Sequence, residues 1–282
     1  MSDPPSDLPA EIADDVDDGV FTAVRDGYDA VYGALPGSPT FQRLWRSNAY
    51  HGEFPLEFAH IGFLTLGEAR QLKDLLSVGA DDLLVDVACG AGGPGLWMAE
   101  QTGAALIGID PSLSGLVAAR QRAVDVELAG RSRFQLGTFE RTGLDDQCTD
   151  ALMSVEAFQY APDKRAAAAE FARVLRPGGR LGIVCFEVEP SLVIGVPVLG
   201  IDPVADYTTL LHDAGFVVQA YDETAGWQDR VYGAFEAIVA VKDALAMEMG
   251  DVAAANIVTE AALTVQLKPY RRRVLSGASR RS

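Results

Sequence analysis

An apolar run, Leu83-Leu84-Val85-Asp86-Val87, breaks into Ala88-Cys89-Gly90-Ala91-Gly92-Gly93-Pro94-Gly95, and a helical pattern follows. Glycines let the backbone turn sharply and approach a ligand closely, and the free N–H groups of the next helix's first turn point at whatever binds there. Around this segment strand-like and helix-like stretches alternate, which implies a largely parallel sheet covered on both faces. The pattern predicts strands at Leu83–Val87, Ala105–Ile109, Arg133–Leu136, Ala151–Val155, Arg180–Phe186 and Phe216–Tyr221, with a last one at Arg273-Val274-Leu275. Helices are expected at Leu96–Thr102, Leu113–Leu128, Lys164–Leu175 and Val204–Ala214. The fold class is therefore α/β, with a doubly wound, seven-stranded, mostly parallel sheet.

Helical segments flank this core. Val20, Phe21, Val24, Tyr28, Val31 and Tyr32 recur at helical spacing, Ser38-Pro39 opens a second helix bearing Phe41, Leu44 and Trp45, and a third runs from about Thr65 to Leu76. Beyond Trp227 two long Ala-rich helical stretches break near Gly250-Asp251. The expected organisation is an acidic flexible leader (1–19), an N-terminal helical cap (20–78), a core (79–226), a helical substrate-lid insertion (227–267), and a last strand with a basic tail (268–282). The acidic start and the run from Lys268 to Ser282 read as frayed, solvated ends.

A formal net charge of −17 repels a phosphate backbone, which argues against nucleic acid and anionic membranes as partners. No apolar run approaches the ~20 residues of a membrane helix, and Met1-Ser2-Asp3-Pro4-Pro5 lacks the basic and apolar regions of a secretory signal. A cytoplasmic location is expected. Cys89, Cys148 and Cys185 are too few and too dispersed for a disulfide framework or a zinc site, so no metal is expected.

Gly90 to Gly95 satisfies G-x-G-x-x-G, and Asp110 closes the next strand 18 residues after Gly92. That permits NAD, with the pyrophosphate on the helix N-terminus and the carboxylate on a ribose, and hence an NAD-dependent oxidoreductase. Asp86 pulls the other way, because a charge at the end of a buried strand needs a purpose or a partner. Together with Ile107-Gly108-Ile109-Asp110-Pro111-Ser112 and Arg173-Val174-Leu175-Arg176-Pro177-Gly178-Gly179-Arg180-Leu181, the run Val85 to Gly92 resembles the motifs of class I S-adenosylmethionine-dependent methyltransferases. Ala88 stands at the family's first glycine position.

The resemblance covers about Leu83 to Phe186 and implies a Rossmann-like core that binds S-adenosyl-L-methionine and releases S-adenosyl-L-homocysteine. It places Asp86 and the backbone of Ala88, Cys89, Gly90 and Gly92 at the methionine end, with Asp110 on the ribose hydroxyls and Pro111 and Ser112 beside the adenosine. Thr138 falls at the adenine amino group, where aspartate is usual, Phe139 falls against the adenine face, and Ser154 joins the cofactor residues.

Ser154-Val155-Glu156-Ala157-Phe158-Gln159-Tyr160 lacks the Asn/Asp-Pro-Pro-aromatic run of nucleic-acid amino methyltransferases. It looks like the small-molecule enzymes of the ubiquinone-biosynthesis and natural-product type, which often carry histidine at Tyr160's position. Trp45 to Phe54 resembles their cap, with Tyr50 at a usual histidine position and His51 one place along; His60 is a further candidate. The resulting catalytic candidates are Tyr160, His60 and His51, and the substrate candidates are Tyr50, Glu156, Gln159, Tyr160, Glu187 and Trp227. Tyr232, Phe235, Ile238 and Val241 offer an apolar face suited to a hydrophobic acceptor, to helix packing or to a homodimer. Methyl transfer itself needs a nucleophile held in line with the S–CH3 bond, exclusion of water and a proton acceptor where one is lost. The expectation is a small-molecule methyltransferase of bacterial specialised metabolism acting on a hydroxyl or carbon nucleophile. Its rivals are the NAD-dependent oxidoreductase and a member that keeps the cofactor without methylating.

Overall fold

The computed structural model describes residues 19–50, 53–192 and 203–282; most of the acidic leader and His51 lie outside the described residues. The sheet consists of β1 (Leu83–Val87), β2 (Ala105–Asp110), β3 (Ser132–Leu136), β4 (Thr149–Val155), β5 (Leu175–Val188), β6 (Phe216–Glu223) and β7 (Arg271–Arg280), ordered β3-β2-β1-β4-β5-β7-β6. β7 is antiparallel to both neighbours, and the pairs from β3 to β5 are parallel. The strand order reverses between β1 and β4, which opens a crevice beyond their carboxyl ends.

Alternation along the strands loads both faces. Leu84, Val184 and Phe186 join one apolar layer, with Leu72 of α3 (Leu66–Leu76), Leu96 of α4 (Gly93–Thr102) and Leu116 of α5 (Leu113–Asp125). Val85, Val87, Ile183 and Cys185 join the other, with Phe171 of α6 (Lys164–Val174) and Leu211 of α7 (Thr208–Asp213). A two-residue period with both faces apolar is what a sheet covered by helices on each side requires.

The cap draws on both ends of the chain. α1 (Gly19–Ala34) and α2 (Pro39–Asn48) pack against α8 (Trp227–Ala240), α9 (Lys242–Met249) and α10 (Asp251–Gln266). Ser38 caps α2 through the Phe41 N–H (3.2 Å). Its hydroxyl and that of Thr40 each donate to Glu248 of α9 at 2.6 Å, which ties two segments of the cap that lie 208 residues apart or more. Among the described residues no helix is long and apolar enough to cross a membrane.

Several boundaries differ from the sequence expectation. α4 begins at Gly93, three residues early, because left-handed Gly92 ends the turn and Pro94 already has first-turn geometry. β5 begins at Leu175 rather than Arg180; Pro177-Gly178-Gly179 lies in an irregularity where pairing jumps from Thr149–Leu175 to Ala151–Arg180. The two Ala-rich stretches are three helices, broken at Val241 and at left-handed Gly250. The largest correction concerns the basic end. Far from being frayed, Arg271–Arg280 is a strand between β5 and β6, with Arg273 fully buried. Carboxylates from distant parts of the chain, Glu68 and Glu156, make that burial tolerable.

Candidate active site

The carboxyl end of β1 carries Asp86, 2% exposed, whose carboxylate accepts from the Gly95 N–H in the first turn of α4. Ala88 follows with a left-handed backbone (φ 62°), a conformation that strains a residue bearing a Cβ. Gly90 and Gly92 are also left-handed, and a Cβ on Gly90 would collide with the Tyr32 hydroxyl of α1. Backbone geometry and the close approach of the cap thus both demand glycine there. Asp110, ending β2, accepts from the N–H groups of Gly90 (2.7 Å) and Ser112 (2.8 Å), fastening the glycine loop to the neighbouring strand. Burial pushes the Asp110 carboxyl up to about 6 against the pull of those donors. Burial, and then the charge on Asp110, raise that of Asp86 well above the carboxylate range. Ser112 caps α5 through Gly115 N–H (2.9 Å) and donates to Asp29 of α1 (2.7 Å).

A cavity of about 800 Å³ runs from this cradle into the cap, near the upper end of the ~300–1,000 Å³ usual for small-molecule sites. Asp86, Asp110, Pro111 and Phe139 line one end. Phe41, Trp45, Phe63 and Phe235 line the other, with Trp45 stacked on Phe41 at 5.0 Å and tilted against Phe63 at 4.8 Å.

Polar groups line the same cavity. The hydroxyls of Tyr28 and Tyr160 both donate to the Glu260 carboxylate of α10, at 3.0 and 2.8 Å. Burial raises the Glu260 pKa, opposed by those two hydrogen bonds. Burial and the Glu260 charge push the Tyr160 phenol far above its ordinary value, so Tyr160 is a neutral donor rather than a base. Burial, then the charge of Arg122, lower the His60 pKa to about 3, and its Nδ1 accepts from the Gly62 N–H at 3.0 Å. The neutral ring therefore carries its proton on Nε2, which is buried near the Leu64 carbonyl and has no well-formed hydrogen bond among the described residues. His60 offers the cavity a donor, not a proton acceptor. Its backbone is held by Tyr50, whose hydroxyl accepts from the His60 N–H (2.8 Å) and donates to its carbonyl.

Glu156 is left-handed (φ 56°), and both its oxygens are engaged, one by Arg273 Nε at 2.6 Å and the other by the Phe63 N–H. That engagement makes it a brace between core and cap. Gln159 donates from its amide to the Glu156 carbonyl (2.7 Å), and its own Oε1 is buried with no partner among the described residues.

The structure thus gathers Asp86, Ala88, Cys89, Asp110, Pro111, Ser112, Phe139, Tyr50, His60, Glu156, Gln159 and Tyr160 around one cavity, with Gly90 and Gly92 shaping its loop. Four expected residues stand off its wall. Ser154 and Glu187 share the strand parity of Leu152 and Cys185, which face the α6 layer, whereas Val155 and Phe186 face the cavity. Glu187 instead accepts from Tyr221 and pairs with Arg272 at 3.3 Å. Trp227, 1% exposed, packs behind Phe186 and donates to Glu223 at 2.9 Å. Thr138 accepts from the Arg141 N–H at 3.2 Å, turned into its own loop.

Sequence reasoning missed Glu260, Arg271 and Arg122, and took Tyr28 and Tyr32 only for apolar helix positions. Arg122 reaches the Ala91 carbonyl of the glycine loop. A signal for Glu260 existed: it is a carboxylate on the buried stripe Ala253, Ile257, Ala261 and Thr264 of α10.

Residues 85–183 match the methyltransferase domain family. The chain is 33% identical over 151 residues to methyltransferase GfsG of Streptomyces halstedii, covering 53% of this chain and 54% of that protein. It is 27% identical over 210 residues to 27-O-demethylrifamycin SV methyltransferase of Amycolatopsis mediterranei, covering 71% and 75%. The alignment thus spans about half the length of the first relative and three quarters of the second. Among solved structures, the [4+2]-cyclase SpnF superposes with a TM-score of 0.70 at 20% identity, covering 92% of this chain and 95% of that one.

Proposed function

The chain carries a class I S-adenosylmethionine-dependent methyltransferase domain, and from that premise we propose that it methylates an oxygen or carbon nucleophile of an apolar small molecule. S-adenosylmethionine, rather than NAD, is the cofactor served by the glycine loop, and S-adenosylhomocysteine is its product. The observation that carries the proposal is the continuity of the cavity, which joins the carboxylates Asp86 and Asp110 to an aromatic chamber closed by α1, α2, α8 and α10.

When bound, S-adenosylmethionine supplies an electrophilic methyl on a sulfonium. The residues present fit it: two carboxylates at the ends of adjacent strands suit an amino group and a pair of ribose hydroxyls, and Phe139 offers an apolar wall. On the acceptor side the aromatic chamber excludes water and holds an apolar body. Glu260 takes the proton where a hydroxyl is the nucleophile, and Tyr28 and Tyr160 keep its carboxylate aimed. Relatives in Streptomyces and Amycolatopsis favour a place in bacterial specialised metabolism. A second reading, a member that retains the cofactor without transferring its methyl, is favoured by the fold shared with a cyclase.

Two measurements separate these readings. Calorimetry should show S-adenosylhomocysteine binding and no NAD binding. Methyl transfer from labelled S-adenosylmethionine, followed across apolar alcohols, phenols and 1,3-dicarbonyls, should find a labelled product. Tight S-adenosylhomocysteine binding with no transfer to any acceptor would support the second reading, and NAD binding alone would remove both.

A further inference from the structure

We propose that Arg271 recognises an anionic oxygen, a carboxylate or an ionised enol, on the molecule that enters the cap side of the cavity. Calling that molecule the methyl acceptor rests on the function proposed above; the anion site itself does not.

β7 runs antiparallel to β5, with Arg271 opposite Val188. Its first residue therefore lies at the same edge as the carboxyl ends of β1, β4 and β5, where the cavity opens. Three consecutive arginines begin this strand, and two are paired with carboxylates. Arg272 pairs with Glu187 and Glu223, each at 3.3 Å. Arg273 pairs with Glu68 at 2.8 Å and Glu156 at 2.6 Å.

Arg271 differs from both. It lines the cavity, its Nε is buried without a partner, and no described residue forms a hydrogen bond or ion pair with its side chain. Its guanidinium carbon lies 4.0 Å from the centroid of Phe186, so the group rests on an aromatic face. Glu260 and Glu156 are near enough to favour its charge, but the first is occupied by two tyrosines and the second by Arg273.

Guanidinium does not shed its proton in proteins, and leaving one half-buried, its Nε enclosed without an acceptor, is costly. Resting on Phe186 fixes its plane, and its N–H edge is a fork that matches two oxygens of a planar anion. Chemically, then, the site asks for an apolar body bearing a delocalised oxyanion, seated within the same chamber as Glu260 and Tyr160.

The test uses the full chain saturated with S-adenosylhomocysteine and two fluorescent probes of similar apolar body, 8-anilinonaphthalene-1-sulfonate (anionic) and N-phenyl-1-naphthylamine (neutral). In Arg271→Met the Kd of the anionic probe should rise roughly tenfold to a hundredfold, as expected for loss of a charge-assisted hydrogen bond, while that of the neutral probe changes by less than about twofold. Arg271→Lys, which keeps the charge but not the fork, should fall between. Competition of hexanoate and of dimedone against the anionic probe then distinguishes carboxylate from enolate. Equal weakening of both probes, an unchanged anionic Kd, or no anionic binding to the unmodified chain would overturn the proposal. S-adenosylhomocysteine affinity, measured on the same samples, reports separately on the methyltransferase reading.

Discussion

Glu156 and Arg273 meet carboxylate to guanidinium at 2.6 Å across the end of β5, the strand that separates β4 from β7. Arg273 continues to Glu68 of α3 at 2.8 Å, and Glu68 also takes Arg230 of α8 at 2.6 Å. Two carboxylates and two guanidinium groups therefore form a balanced cluster binding α3, the sheet and the cap. Removing one charge leaves the others buried and in excess. Glu156→Gln should cost about 2–3 kcal/mol in urea unfolding. A loss below about 0.5 kcal/mol, the range of an ordinary surface change, would mean that the cluster does not hold the cap.

Asp110 gives the cofactor affinity a pH dependence of definite sign. Its carboxyl sits at about 6 in the free protein, above the ordinary ~3.9, and only the ionised form can accept from both ribose hydroxyls. Above pH 6 Asp110 is already ionised and contributes no slope to S-adenosylhomocysteine affinity; a slope that persists there belongs to Asp86, whose carboxyl burial holds higher. Below pH 6 binding must first remove a proton, so affinity should fall by up to about tenfold per pH unit. Asp110→Asn should bind roughly 1.5–3 kcal/mol more weakly at pH 8 and lose most of the slope, which separates Asp110 from Asp86. Calorimetry from pH 5 to 8 reads both quantities.

What was legible in the sequence was what lies close along it. The β1 turn, Asp86 and Asp110 sit within 25 consecutive residues, so strand pattern, glycines and carboxylates could be read together. The cap chemistry was not legible, because its partners converge from opposite ends of the chain: Tyr28 and Glu260 are 232 residues apart, Tyr160 and Glu260 are 100. The basic run at Arg271 was misread for the same reason. Its neutralising Glu68 is 205 residues away, and an arginine cluster without visible acid resembles a solvated tail. Glu187 was chosen by proximity to a strand end and Ser154 by the family resemblance, while the two-residue period of the strands turned both to the other face.

Glu260, if it takes the acceptor's proton, should be separable from a packing role. Glu260→Gln preserves shape and can still accept from Tyr28 and Tyr160, but cannot take up a proton under these conditions. kcat should fall by roughly a hundredfold or more, with little change in KM for either substrate. Tyr160→Phe leaves the carboxylate and one of its two donors, so its effect on kcat should be nearer tenfold. A Glu260→Gln enzyme within about threefold of normal kcat would place the proton elsewhere or show that none is transferred.

Gly95 provides a test in which local propensity and tertiary geometry give opposite signs. It is the third residue of α4, where alanine would ordinarily stabilise by about 0.5–1 kcal/mol. Here a Cβ would lie 2.5 Å from Asp86 Oδ2 and 3.2 Å from its Cβ and Cγ. Asp86 is almost fully buried and receives the Gly95 N–H, so its carboxylate can yield only by giving up that bond and shifting into the cofactor cradle. Gly95→Ala should therefore lower stability by about 1–3 kcal/mol, as overpacking does, and weaken S-adenosylhomocysteine binding at least about tenfold through the displaced carboxylate. Gly130→Ala is the control, since a Cβ there meets nothing within 4 Å. It should leave both quantities within about 0.5 kcal/mol. If the two alanines behaved alike, Asp86 would be free to move, and its place at the methionine end would lose its structural basis.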